Sequence, residues 1–278
     1  MNRLLLLVAL LLLAAGAGAE ERKSTAGSGV QVLSPPMTIP GLGRTRTIRI
    51  YLPPSYAAGK RRYPVLYMHD GQNLFDDATS FVGEWGVDEA MDTLAKQHGL
   101  EVIVVGIDQD NEHRTQELTA WDNPKYGAAE GREYMRFVVE VLKPWIDAHY
   151  RTRPGREDTG IMGSSLGGLI SHYAAFEYPR IFGRIGIFSP AYWFAPPVYE
   201  LSRQQLLPPH TRMVIVAGDS EGDEPLKVVA DTNRMVAELR LEQPGLRLRA
   251  DIRAGGEHNE RAWRAAFPDA VLFLFGRD

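Results

Sequence analysis

The pentapeptide Gly163-Ser164-Ser165-Leu166-Gly167 limits what this chain can become more than any other segment. It follows the short apolar run Thr159-Gly160-Ile161-Met162 and precedes Leu169-Ile170-Ser171-His172-Tyr173-Ala174-Ala175-Phe176. A β-like segment enters the motif and a helix-like segment leaves it. G-x-S-x-G arises by chance in Gly/Ser-rich loops, but between a strand and a helix it reads as a sharp turn that lifts a serine clear of a sheet. Small residues on both sides are needed there because the turn brings backbone against backbone. Ser165 is therefore the candidate nucleophile. Ser164, at the preceding position, reads as a small packing residue.

The flanking pattern extends this into an architecture. Tyr63–His69 and Glu101–Ile107 are short runs rich in apolar residues, as in parallel strands buried on both faces. Further strands are expected at 185–189, 213–217 and 246–252, with helices at 86–97, 133–149, 227–241 and 260–275. The 133–149 segment carries a 3.6-residue stripe through Tyr134, Phe137, Val138, Val141, Leu142, Trp145 and Ile146. Val30–Leu33 and Arg44–Tyr51 alternate and read as antiparallel edge strands, while 108–130 reads as a long polar loop. Strands alternating with helices predict an α/β fold with a mostly parallel central sheet and helices on both faces. The 278 residues suffice for one such domain, expected over 30–278.

The N-terminus is of a different kind. Arg3 precedes the apolar run Leu4–Leu13, and Ala17-Gly18-Ala19 has small-x-small spacing. Residues 1–19 read as a cleavable signal peptide, since the run falls short of the roughly 20 apolar residues a membrane span needs. The expectation is a periplasmic or secreted protein with no stable membrane anchor after cleavage. Residues 20–29, small and polar, are expected to be a disordered lead-in. The chain has no cysteine, which excludes disulfides, thiolate catalysis and cysteine metal sites. Its net charge of −4, without a basic stripe, argues against nucleic acid as a partner. No ligand-cluster motif for a metal appears, and no cofactor is expected.

Chain order selects the partners of Ser165. Folds with this kind of elbow deliver serine, acid and histidine in that sequence. Of seven histidines, only His258 follows every candidate acid, in the loop between the last strand and last helix. It is the expected general base. His172, inside the helix after the elbow, reads as a packing or surface residue. Gly218-Asp219-Ser220-Glu221-Gly222-Asp223-Glu224 supplies the acid, with Asp219 and Glu221 the leading candidates. Backbone amides at Leu166 and at Gln72, in the loop His69-Asp70-Gly71-Gln72-Asn73, are the expected oxyanion donors. Tyr192, Trp193 and Arg114 are candidate walls of a substrate pocket.

Several blocks in register carry a family resemblance: Tyr67–Asp76, Trp85–Glu89, Val104–Asp108, Leu142–Asp147, Gly163–Gly168 and Glu257–Glu260. Together, over about Val30 to Phe275, they resemble the Putative esterase family of the α/β-hydrolase superfamily. That group includes enterobactin, feruloyl and acetyl xylan esterases, esterase D and mycolyltransferases. The resemblance implies an α/β-hydrolase fold and a serine esterase acting through an acyl-enzyme. Its substrate would be a small-molecule or glycan-linked ester, such as a siderophore or a sugar-linked acyl or aryl ester. A Gly-x-x-Glu pattern in its bacterial subgroup implies that Glu221 is the acid. The alternatives are an acyltransferase on the same fold and a non-catalytic binding module.

Overall fold

Two opposed apolar faces on each central strand set the architecture. Along Val65–His69, Val65 and Tyr67 join one buried cluster while Leu66 and Met68 join the other. The period-two alternation of side chains thus feeds two cores from one strand. The computed structural model describes residues 22–277; the expected signal peptide lies outside them.

In chain order the elements begin with β1 (Val30–Val32), β2 (Met37–Ile39), β3 (Arg44–Arg46) and β4 (Ile48–Tyr51). Next come β5 (Val65–His69), α1 (Val87–His98), β6 (Ile103–Ile107), α2 (Arg114–Glu117), α3 (Gly131–Phe137) and α4 (Lys143–His149). The second half runs β7 (Thr159–Ser164), α5 (Leu166–Glu177), β8 (Arg184–Phe188), α6 (Pro197–Gln204), β9 (Arg212–Gly218), α7 (Pro225–Glu242), β10 (Arg247–Arg253) and α8 (Glu260–Phe275). Eight strands form one sheet in the order β1-β4-β6-β5-β7-β8-β9-β10, and β2 and β3 form a separate two-stranded sheet. The β1–β4 and β4–β6 pairings are antiparallel; every pairing from β6 to β10 is parallel. Helices α3 to α7 cover one face and α1 with α8 the other. This is the mostly parallel α/β sheet with helices on both faces expected from the alternating pattern, and the α/β-hydrolase fold that the family resemblance implies.

Three expectations need correction. The 133–149 helix is not continuous: α3 passes through a π-helical turn, Val138–Leu142, before α4. Pro144 sits in the first turn of α4 and has no N–H to give to the carbonyl of Glu140, and the Lys143 amide reaches back five residues to Val138. The 44–51 segment breaks into β3 and β4 at Thr47. Residues 22–29, expected to lack order, hold to the body instead. Ser24 Oγ donates to Asp76 at 2.9 Å, Thr25 Oγ1 to Glu84 at 2.9 Å, and the Gly27 amide to Asp88 at 2.7 Å. Composition pointed to disorder because these residues bring no apolar surface; carboxylates on the body, the half-exposed Asp76 and the buried Glu84 and Asp88, supply the binding instead.

Candidate active site

The strands β5, β7, β8, β9 and β10 run parallel, so their C-terminal ends, and the loops that follow them, share one edge of the sheet. Ligand sites in open α/β sheets form there.

Ser165 stands between β7 and α5 with φ +58° and ψ −121°, a conformation that side chains resist. Surroundings enforce it. The Ser165 amide donates to Phe188 O at 2.9 Å, and its carbonyl accepts from Leu169 N and Ala191 N. A Cβ on Gly163 would stand 2.7 Å from the carbonyl carbon of Gly167, so the turn closes only with glycine at 163; a Cβ on Gly167 would press on His69 Cβ at 3.3 Å. The first amides of α5, beginning with Leu166, have no acceptor within the helix and lie beside the serine.

The loop after β10 brings His258 to the same place. Gly218, at the end of β9, and Gly256 pack so tightly that a Cβ on Gly218 would fall 2.0 Å from Gly256 O. His258 Nδ1 lies 2.8 Å from Glu221 Oε2, and its ring meets Trp263 edge-on at 5.2 Å. Glu221 is buried to 2 % exposure. Its second oxygen accepts from the Gly218 amide and from Ser189 Oγ at 2.6 Å. Ser189 Oγ also accepts from Trp263 Nε1 at 2.8 Å. A buried carboxylate is tolerable only when its lone pairs are answered this way. Asp219 is exposed and turned elsewhere: it accepts from the Gly255 amide at 2.7 Å and from Ser220 Oγ.

Two cavities meet at Ser165 and His258. The first, about 430 Å³, is bounded by Pro190, Trp193, Val228 and Glu221. The second, about 410 Å³, is the more polar of the two: His69, Asn73, Asn111, Arg114 and Glu260 share its wall with Phe81, Val82, Trp85 and Trp263. Arg114 clamps Asp70 through two hydrogen bonds of 2.6 and 2.9 Å. Burial disfavours the Arg114 charge, but the Asp70 carboxylate outweighs it and the pKa ends above the usual value. Burial pushes the Glu260 carboxyl up.

Of the sequence-derived candidates, Ser165, His258, Glu221, Trp193 and Arg114 converge on this edge. Tyr192 does not line either cavity: it is fully buried and its hydroxyl lies 3.0 Å from His172 Nδ1. His172 is itself fully buried, with Nε2 at 2.8 Å from Ser202 Oγ, and burial lowers its pKa to about 3. Gln72 occupies a 3-10 turn, Gly71–Asn73, directly after β5. Its neighbours Asp70 and Asn73 line the polar cavity; Gln72 turns its side-chain oxygen to the Gln109 amide at 3.0 Å. Ser189 and His69 escaped the sequence reading, because a lone Ser or His at a strand end has no distinguishing pattern. Among the described residues, Glu84, Asp88 and Glu89 bring carboxylate oxygens within 4.8 Å of one another, beside the contacts of the 22–29 segment. Acidic clusters of this kind are common without an ion.

Known proteins share this arrangement of chain. A sequence model of the family described as "Putative esterase" matches residues 39–274. An uncharacterized Bacillus subtilis protein, YbbA, is 26% identical over 245 residues, covering 84% of this chain and 94% of its own. An endo-1,4-beta-xylanase/feruloyl esterase of Xylanibacter ruminicola is 22% identical over 240 residues, 84% of this chain but 30% of that longer protein. Among solved structures, the enterobactin esterase FES of Shigella flexneri, determined in the presence of enterobactin, superposes with TM-score 0.69 at 19% identity. That superposition covers 90% of this chain and 59% of the FES chain.

Proposed function

Because this chain belongs to the Putative esterase family, and so to the carboxylic ester hydrolases, we propose that it works through Ser165, His258 and Glu221 by way of a covalent acyl-enzyme. The observation that carries the reading is the Glu221–His258 hydrogen bond in a cavity that Ser165 also lines. Glu221 Oε2 accepts the Nδ1 proton, which leaves Nε2 of the neutral imidazole as a base. As Ser165 Oγ attacks the ester carbonyl, Nε2 takes its proton. The charge that develops on the carbonyl oxygen faces the Leu166 amide at the start of α5 and an amide of the turn at 70–73, where Gln72 is the expected donor. Such donors contribute about 3 kcal/mol each. His258 then protonates the departing alkoxide, and water repeats the sequence on the acyl group.

The substrate is a small-molecule or glycan-linked ester with an apolar acyl or aryl group. Trp193, Pro190 and Val228 supply an apolar wall for that group. The feruloyl and enterobactin esterases above are consistent with aryl esters of this kind. The Leu4–Leu13 run and Ala17-Gly18-Ala19 support export with cleavage after Ala19; the mass of the mature chain recovered from a periplasmic fraction tests that.

The catalytic assignment is tested by labelling with a fluorophosphonate and by Ser165→Ala. The label is expected on Ser165. The variant is expected to lose p-nitrophenyl butyrate hydrolysis by about 10⁴-fold or more in kcat. Near-normal turnover by the variant would refute the assignment.

A further inference from the structure

His69 closes β5 and is 2 % exposed, yet it is part of the wall of the polar cavity beside Ser165. Its Nδ1 lies 2.7 Å from the Tyr134 hydroxyl, and its Nε2 is buried with no hydrogen-bond partner among the described residues. The direction of the first bond decides what the second nitrogen is. Tyr134 is also buried, at 2 % exposure, and burial holds its phenol protonated. A phenol proton left without an acceptor there would cost about 1–3 kcal/mol. The phenol therefore donates to Nδ1. Burial pulls the His69 pKa down to about 4, so near neutrality the ring carries a single proton. With Nδ1 accepting, that proton sits on Nε2.

The orphan is thus a neutral N–H donor. The Cδ2 edge of the ring, which Nε2 shares, lies 3.8 Å from where a Cβ on Gly167 would stand, at the start of the helix that Ser165 opens. A histidine serving only to fill space would leave this donor unanswered at the same cost of a few kcal/mol, and a leucine would fill the space without it.

We infer that His69 is a substrate-contacting residue whose Nε2–H binds a neutral oxygen acceptor, a hydroxyl or carbonyl, on the half of the ester lying in the polar cavity. The preferred substrate is then two-faced: an apolar acyl or aryl group against Trp193, and an oxygen-bearing group against His69, with Asn73 and Asn111 in the same wall. The inference rests on Ser165 being the esterase nucleophile and deepens it to a substrate class. No bond is made or broken by His69.

Matched esters read this out: glyceryl monobenzoate, with free hydroxyls, against propyl benzoate, without them. The wild type is expected to favour the glyceryl ester. His69→Leu is expected to lower kcat/KM for the glyceryl ester by about 10-fold or more, chiefly through KM, because a polar group in the site loses its partner. Propyl benzoate should change by about 2-fold or less. His69→Gln, which keeps an N–H donor, is expected to recover part of the loss. Tyr134→Phe keeps the histidine but frees its tautomer, and is expected to fall between. Equal losses on both esters, a loss confined to kcat, or no rescue by glutamine relative to leucine would overturn the inference. If His69→Leu does not fold, by circular dichroism, the glutamine and Tyr134→Phe variants decide the same question. Failure of the underlying reading shows separately, as a wild-type protein whose Ser165 takes no fluorophosphonate and which hydrolyses neither ester.

Discussion

At the scale of single residues, the acid is where two neighbouring carboxylates part company. Glu221 is buried and bonded to His258, whereas Asp219 is exposed and serves the Gly255 amide. Glu221→Gln keeps the shape but removes the charge that fixes the imidazole; kcat is expected to fall by about 10⁴-fold. Asp219→Asn is expected to stay within about 3-fold, since an exposed side chain two residues away changes little. Steady-state kinetics on one soluble ester compares them, and a larger loss in Asp219→Asn would reverse the assignment. Ser189 supports Glu221 from behind. Ser189→Ala strands Trp263 Nε1 and one lone pair of Glu221, and is expected to cost about 1–3 kcal/mol of stability in urea denaturation. Ser165 and His258 were legible in the sequence because one lies in a pentapeptide whose spacing has a steric cause and the other is selected by chain order. Ser189, His69 and the non-participation of Tyr192 were not, because each depends on which way a side chain leaves a strand end or turn.

At the scale of elements, the elbow stores strain that a test can release. Serine at φ +58° and ψ −121° is held against its own preference, and glycine is not. Ser165→Gly is therefore expected to be more stable than Ser165→Ala by about 1 kcal/mol or more, with both expected to be inactive. Thermal denaturation of the two variants measures this directly; equal midpoints would mean that the turn carries no strain. The long strands and helices could be read from apolar runs and stripes because burial repeats along them. The three-residue β2 and the single turn of α2 are too short to repeat anything. The π turn before Pro144 escaped for another reason: the apolar stripe of 133–149 passes through it with Val138 and Leu142 still buried. Side-chain periodicity alone did not betray the change in backbone hydrogen bonding.

At the scale of the molecule, buried imidazoles tie stability to pH. His172 links α5 to α6 through Ser202 and to the 192–194 segment through Tyr192, and it stays neutral because burial lowers its pKa to about 3. The unfolded chain protonates it near 6.5. Its contribution is therefore complete above about pH 6.5 and is lost as pH falls toward 3, since the unfolded state then binds the extra proton. The stability difference between the wild type and His172→Gln is expected to shrink as pH falls from 7 to 5 in urea melts; a constant difference would contradict a neutral His172. The 22–29 segment acts over a similar distance. A chain beginning at Val30 exposes Glu84 and Asp88 without their Thr25 and Gly27 partners, and should be less stable by about 1–3 kcal/mol.

The edge strand β10 has a further consequence, for biosynthesis. His258 follows β10 in the chain, and Trp263, whose ring meets it edge-on, lies in α8. A nascent chain made only as far as Ser165 would, on the proposed mechanism, carry the nucleophile without the imidazole expected to take its proton. On that mechanism, hydrolysis is expected only once the chain has emerged through Trp263 and packed His258 beside Glu221.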